Sequence, residues 1–149
     1  LITIFPFHFI GETFILVMTF LLSVDFSIFH FEDEALLKEI SYEKFFLGSD
    51  SAPHLVGEKQ SACGCAGVYN AHKLIEILAD FFAFNNSLPN FEKFVSTNGA
   101  DFYNVPYNKK KLHFEKIKTS IPNFIGNSDI KIIPMMAGEF VNWTTKLVE

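Results

Sequence analysis

The 149-residue sequence contains no arginine, so its twelve strongly basic side chains are all lysines. Seventeen Asp and Glu residues give the chain a formal net charge of −5. Nucleic-acid binding needs clustered cations, which this acidic chain does not offer, and we expect no nucleic-acid partner. Without arginine, the chain also lacks the planar side chain that binds carboxylates and phosphates through paired hydrogen bonds.

Cysteine is also scarce, because Cys63 and Cys65 are the only two and a single residue separates them. Cysteines that close rarely form a disulfide in a regular backbone, which indicates reduced thiols in a cytoplasmic protein. A Cys-x-Cys pair can supply half of a structural zinc site, but the remaining half requires a second Cys or His pair. The histidines are scattered and form no such pair. The small residues that surround the cysteines favour a loop whose backbone approaches a ligand closely.

Residues 1–31 have a different composition from the rest of the chain. They contain eight Phe, no Lys, and only two charged side chains, Glu12 and Asp25. The uncharged run between these two residues is shorter than the span of about 20 apolar residues that a membrane helix needs. We therefore expect no membrane association, although a membrane-associated protein built on this segment stays open as an alternative, as does a buried strand-and-helix segment.

An abrupt change to ordinary soluble sequence follows residue 31, and the chain begins at Leu1 rather than at a methionine. Such a change is typical of a frameshift in the gene, which is our hypothesis for this region. We accordingly divide the chain into an atypical apolar segment, residues 1–31, and a domain comprising residues 32–149.

The second region has the pattern of an α/β domain. We predict strands over residues 44–48 and 130–133, helices over residues 70–84 and 89–99, and a solvated turn at residues 109–111. Asn70 is a good cap for the first helix, Pro89 favours the start of the second, and Gly99 favours its end. A strand, a loop and a helix in this order suit a β/α unit, in which functional groups lie at the carboxyl end of the strand.

Asp50 directly follows the first predicted strand, and His54 comes four residues later, after Pro53. A carboxylate at the mouth of a barrel strand can bind a metal and transfer protons. Two simpler interpretations remain open at this point. Asp50 could only cap the following turn, and His54 could be an ordinary loop histidine.

Four sequence motifs, taken together, resemble the C-terminal region of the bacterial-type dihydroorotases. They are GSDSAPH from Gly48, SxCGCAGxxNA from Ser61, FxSxNGAxFY from Phe94 and PxxAGE from Pro134. The resemblance extends over residues 45–149. It implies that this part of the chain is the C-terminal portion of a TIM-type (β/α)8 barrel, incomplete here, with C-terminal helices.

The resemblance also implies a reaction and a set of site residues. The reaction is the reversible cyclisation of N-carbamoyl-L-aspartate to dihydroorotate in de novo UMP biosynthesis, with a zinc-bound hydroxide and two zinc ions. Asp50 is implied to be a zinc ligand and the acid/base, His54 to contact the carboxylate of this small-molecule substrate, and Ala66 to hold the substrate through its backbone. The intact enzyme is implied to be able to form a homodimer.

The sequence departs from this family pattern at several places. It has no His-x-His motif and no substrate-binding arginine, and one carboxylate cannot hold two zinc ions. We therefore expect that the 149-residue polypeptide alone neither binds zinc tightly nor turns over dihydroorotate. Two alternatives remain: another cyclic amidohydrolase related to hydantoinases or allantoinases, and an inactive product of a degraded gene.

Overall fold

The structure of the chain, a computed structural model, describes residues 45–49, 51–62 and 64–148. The predictions made for residues 1–31 lie outside the described residues, and so do those made for Asp50 and Cys63. The division of the chain at residue 31 therefore stays a prediction.

Helices occupy the first half of the described chain. They are α1 (Val56–Lys59), α2 (Leu74–Phe84), α3 (Leu88–Glu92), a π-helical turn (Lys93–Thr97) and α4 (Asn98–Tyr103). The prediction of a helix near residues 70–84 is confirmed, but α2 begins only at Leu74. The predicted helix start at Pro89 is confirmed as well, because proline occupies the first turn of α3, where its missing N–H costs nothing. The predicted end at Gly99 is wrong, since the helical conformation continues to Tyr103.

Antiparallel ribbons form the second half of the chain. The strands are β1 (Lys111–Glu115), β2 (Thr119–Ser120), β3 (Ile125–Gly126), β4 (Lys131–Ile132), β5 (Phe140–Val141) and β6 (Thr144–Val148). β1 pairs with β6, β2 with β5 and β3 with β4, so the three ribbons are nested within one another. The strand predicted over residues 130–133 is confirmed in part by β4. The turn predicted at residues 109–111 ends one residue early, because Lys111 already belongs to β1.

Aromatic side chains join the helices to the ribbons in one hydrophobic core. Phe82 on α2 is fully buried, and its ring centroid lies 5.2 Å from that of Phe91 and 5.6 Å from that of Phe94. The ring of Phe91 in turn lies 5.5 Å from that of Phe114 on β1, which also contacts Trp143. These successive ring contacts hold the β1–β6 ribbon against α2 and α3.

Polar side chains make a second connection between α2 and the ribbons. Both carboxylate oxygens of Asp80 accept hydrogen bonds from Asn142, one from its backbone N–H at 2.9 Å and one from its amide at 3.1 Å. Glu76 is buried, and its carboxylate accepts bonds from the Lys73 ammonium and the Thr145 hydroxyl. These hydrogen bonds connect the polar face of α2 to β6 and to the turn that precedes it.

The strand predicted over residues 44–48 is found only as a β-bridge at Gly48 among the residues that the structure describes. Residue 44 lies outside them, and residues 45–47 form no ladder. The backbone N–H of Leu47 instead donates to the carbonyl of Phe94 at 2.9 Å, so a helical segment takes the place of a neighbouring strand. The predicted burial is right for Phe46, whose ring packs against Phe102 and Tyr103.

The described chain thus has the predicted mixture of helices and strands. Its ladders are antiparallel, and two isolated bridges between described residues, Ser51 with Val68 and Tyr69 with Pro134, are parallel. None of the helices in the described part of the chain combines the length and the apolarity that crossing a membrane requires.

Candidate substrate-binding site

The two parallel bridges bring three distant segments of the chain side by side. Ala52 donates its backbone N–H to the carbonyl of Val68 at 2.9 Å, next to the Ser51–Val68 bridge. Met135 donates its backbone N–H to the carbonyl of Tyr69 at 2.7 Å, next to the bridge between Tyr69 and Pro134. The motif that begins at Gly48 and the glycine-cysteine motif are therefore neighbours in space.

His54 and Ala66, two of the three predicted site residues, are in direct contact. The imidazole Nε2 of His54 lies 2.9 Å from the backbone oxygen of Ala66. A carbonyl oxygen can only accept a hydrogen bond, so Nε2 is the nitrogen that carries the proton. The ring is thereby oriented, and Nδ1 is left for another partner. Asp50, the third predicted residue, lies outside the described residues.

Lys59, at the end of α1, also binds the segment that carries Ala66. Its ammonium group donates to the carbonyl of Cys65 at 3.1 Å and also to the carbonyl of Gly67. The lysine side chain is partly buried, which is unusual for a lysine without a hydrogen-bonding role. The helical turn that carries Lys59 is short, and the backbone N–H of Leu55 donates to the carboxylate of Glu58 at its start.

Gly67 permits the close approach of the two segments. Its φ of +99° lies in the region that side chains disfavour, and a Cβ added there would lie 2.5 Å from the Cβ of Ala52. The sequence indicated a loop with a close backbone approach around the cysteines. In the structure this approach is made to Ala52, a neighbouring residue of the protein itself.

Ser51 and Asn70 connect the two segments on the side next to Asp50. The Ser51 hydroxyl oxygen accepts the backbone N–H groups of Asn70 and Ala71, each at 3.2 Å. The Asn70 amide donates to the carbonyl of Ser49 at 2.6 Å. Both residues that flank Asp50 in the sequence are therefore held by Asn70. The predicted capping role of Asn70 is wrong, because its side chain makes this longer-range contact and Lys73 precedes α2 instead.

Replacing Ser51 with alanine is expected to lower the free energy of unfolding by about 1.5 kcal/mol. The backbone N–H of Asn70 is buried and would lose its acceptor, whereas that of the exposed Ala71 can bind water. Urea unfolding of the chain measures the change. Ser49→Ala is the matched control, because Ser49 is exposed and contributes its backbone oxygen, which alanine retains. Equal losses in the two variants would contradict this role for the hydroxyl.

Potential metal ligands are sparse in the described part of the chain. No group of three or more His, Cys, Asp or Glu side chains there could hold a metal ion. Cys65 is a half-buried free thiol whose carbonyl, rather than its sulfur, makes the contact with Lys59. A zinc site cannot be built from these residues alone.

No family model matches the chain, but individual relatives do. A dihydroorotase of Shewanella putrefaciens is 45% identical over 101 residues, which are 68% of this chain and 29% of the relative. A dihydroorotase of Psychromonas ingrahamii is 42% identical over 112 residues, 74% of this chain and 33% of the relative. The matched part of this chain is homologous to dihydroorotases. The chain spans about a third of the length of these relatives.

Solved dihydroorotase structures match the fold of this part as well. The crystal structure of the Saccharomyces cerevisiae dihydroorotase in complex with 5-fluoroorotic acid matches with a TM-score of 0.71 and 38% identity. The Campylobacter jejuni dihydroorotase matches with a TM-score of 0.63 and 35% identity. Each comparison covers 76% of this chain and 33% of the other. The predicted resemblance to the dihydroorotases is confirmed.

The sequence did not single out two residues that hold this dihydroorotase-related site together, Ser51 and Lys59, and it gave the side chain of Asn70 a different role, that of a helix cap. Ser51 and Asn70 lie inside the quoted motifs, so the motifs themselves contained a signal. Lys59 lies between the motifs in a stretch with no periodicity. Its role depends on contacts with carbonyls six and eight residues away, which a pattern of residue types does not reveal.

Proposed function

We propose that this chain carries the C-terminal part of a zinc-dependent dihydroorotase, which interconverts N-carbamoyl-L-aspartate and dihydroorotate in pyrimidine biosynthesis. The finer fold that goes with this proposal is the C-terminal portion of a (β/α)8 barrel. The expected helices at the C-terminal end are a wrong part of the prediction, because antiparallel strands lie between Lys111 and Val148. We further propose a cytoplasmic location, and a homodimer for the intact enzyme.

The observation that supports this function best is the hydrogen bond between His54 Nε2 and the Ala66 oxygen. These residues lie twelve positions apart in the sequence, and the dihydroorotase resemblance independently assigns both of them to the substrate. Their contact creates one small surface that offers an imidazole and a backbone amide together. A chance likeness of two loops would give no reason for these two residues to meet.

The N–H of Ala66 suits a carboxylate, which only accepts hydrogen bonds, and His54 would suit it in the imidazolium form, in which both ring nitrogens donate. The solved yeast dihydroorotase contains 5-fluoroorotic acid, which is a pyrimidine carboxylic acid. We expect a carboxylate of this type to bind at the N–H of Ala66 and at His54. A protonated His54 would donate from Nδ1 while Nε2 stays bonded to Ala66, and a charge-assisted bond of this kind is stronger than a neutral one.

Asp50, which lies outside the described residues, is the acid/base and zinc ligand in this proposal. It would take a proton from the attacking water during hydrolysis and return it to the departing ring nitrogen. Zinc, when bound with ligands from elsewhere, would lower the pKa of a bound water toward neutral pH and so favour hydroxide. The described residues do not fit two zinc ions by themselves, so the remaining ligands must come from elsewhere, and we expect the isolated 149-residue chain to be inactive.

A segment exchange tests the proposed function. In the Shewanella putrefaciens dihydroorotase, the matched 101-residue segment is replaced by the corresponding segment of this chain. We expect the exchanged enzyme to hydrolyse dihydroorotate, and His54→Ala in it to raise KM about tenfold because a charge-assisted hydrogen bond is lost. His72→Ala is the control, since His72 is exposed and lies outside the proposed surface.

Three outcomes of the exchange are informative. A folded exchanged enzyme that hydrolyses dihydroorotate supports the proposal. A folded enzyme that hydrolyses hydantoin or allantoin in its place favours another cyclic amidohydrolase. A folded enzyme with an intact zinc complement and no activity on any of these substrates contradicts the proposal.

A further inference from the structure

Three consecutive backbone carbonyls of the glycine-cysteine loop are bound by side chains of the preceding segment. His54 binds the carbonyl of Ala66, and Lys59 binds the carbonyls of Cys65 and Gly67. A single ammonium group thus spans the residue whose backbone is expected to hold the substrate.

The direction of the remaining backbone groups follows from peptide geometry. In a planar trans peptide, the N–H points opposite to the carbonyl of the preceding residue. Because the Cys65 carbonyl points to the Lys59 ammonium, the N–H of Ala66 points away from it. Ala66 is exposed, and its N–H donates to no acceptor among the residues that the structure describes. The Lys59 contacts therefore turn this N–H outward.

A carboxylate cannot bind to the carbonyl of Ala66, since both groups are acceptors, so the N–H is the only backbone group of Ala66 suited to an anion. We propose that Lys59 is a positioning residue that presents the N–H of Ala66 to the carboxylate of the substrate. This inference rests on the proposed function, because the role of Ala66 comes from it. Lys59 itself need not touch the substrate.

Lysine suits this task better than other side chains present in the segment. Its ammonium group has three donors and can serve two carbonyls at the same time. Its positive charge also remains beside the loop, because backbone carbonyls carry no formal charge to neutralise it. An anion that approaches Ala66 therefore meets a favourable local field in addition to the N–H.

The test follows the Ala66 amide signal of the full 149-residue chain, labelled with nitrogen-15, as orotate is added. We expect a saturable shift of this signal in the natural sequence. Lys59→Met keeps the length of the side chain and removes its donors, and it should weaken orotate binding about tenfold, the loss expected for charge-assisted hydrogen bonds. Lys59→Arg should stay within about threefold, because guanidinium can also donate to two carbonyls.

Lys111→Met is the matched control, because it removes the same charge from an exposed ribbon residue whose partner is Glu92. It should bind orotate as the natural sequence does. The amide signals of β1 and β6 report whether each variant keeps its fold. If Lys59→Met did not fold, the orotate affinity of Lys59→Arg would be the test instead. A tenfold loss of orotate binding in folded Lys59→Arg would overturn the positioning role.

Two results on folded protein would overturn this inference and leave the proposed function intact. One is orotate binding by Lys59→Met that equals that of the natural sequence. The other is the lack of any orotate response at Ala66 in the natural chain while the segment-exchanged enzyme is active. A loss of activity in the exchanged enzyme would instead count against the proposed function.

Discussion

Replacing Gly67 with alanine is expected to lower the free energy of unfolding by about 3 kcal/mol. Two costs add. The φ of +99° is strained for any residue with a side chain, and the new Cβ would lie 2.5 Å from that of Ala52, so the two paired segments would have to separate. Separation would also weaken the Lys59 contact with the carbonyl of residue 67. Urea unfolding, with the slope checked for constancy, measures the loss.

Gly57→Ala is the matched control for this substitution. Gly57 lies in α1, and a Cβ added there meets nothing within 4 Å. Alanine should therefore leave the stability unchanged or raise it by about 0.5 kcal/mol, because it reduces the freedom of the unfolded chain.

A second control separates the backbone strain from the steric clash at position 67. Adding Ala52→Gly to Gly67→Ala removes the steric clash and leaves the strain, so the double variant should be more stable than the single one. A double variant no more stable than Gly67→Ala would contradict the proposed steric clash with Ala52.

The start of α2 shows where local sequence rules fail. The spacing of its apolar residues correctly predicted a helix, and its buried face carries Leu74, Leu78 and Phe82. Asn70 had the right chemistry for a cap, yet its amide binds the carbonyl of Ser49, twenty-one positions earlier. A hydrogen bond of that range depends on the tertiary structure, and it delays the helix by one turn.

The end of the second helical stretch fails for a related reason. Asn98 and Gly99 are a common pair of helix-ending residues, but here both serve packing. The Asn98 amide donates to the carbonyl of Phe45, and a Cβ on Gly99 would lie only 3.1 Å from the Phe46 ring. Glycine is needed in this helix because an aromatic ring lies against it. The helix ends at Asn104, which has a φ of 53°.

The nested ribbons were mostly missed because their pairing is nonlocal. Lys111 pairs with Val148 across thirty-six intervening residues, and no turn signal connects the two strands directly. The three lysines at residues 109–111 indicated a solvated turn, and their exposure is as expected. Lys111 nevertheless pairs with Val148, and the same strand packs through Phe114 against Phe91 and Trp143.

The resemblance singled out His54 and Ala66, and the structure brings these two residues into contact. Their roles toward a substrate stay predictions. The small residues around the cysteines indicated a close backbone approach, but the partner of Gly67 in that approach, Ala52, and the contacts of Lys59 follow only from the tertiary structure. Both features depend on the backbone conformation of the loop: Lys59 binds two carbonyls that point towards it, and Gly67 has a positive φ. The residue types alone do not reveal this conformation.

Replacing Phe82 with alanine is expected to cost about 4 kcal/mol of the free energy of unfolding. Its side chain is completely buried at the centre of the core, where its ring contacts those of Phe81, Phe91 and Phe94. Truncation would remove this apolar surface from the interior and leave a cavity that three other rings cannot fill without leaving their own partners. Urea unfolding followed by circular dichroism measures the effect.

The control is Phe124→Ala, which removes the same side chain from an exposed position. Phe124 is 49% exposed, and its ring lies 5.0 Å from the Lys131 ammonium. Loss of this cation–π contact should cost about 0.5–1 kcal/mol. A Phe82→Ala variant no less stable than Phe124→Ala would show that the helices do not depend on this core. A larger loss for Phe82→Ala would support its ring as a central packing contact between α2 and the following helical segments.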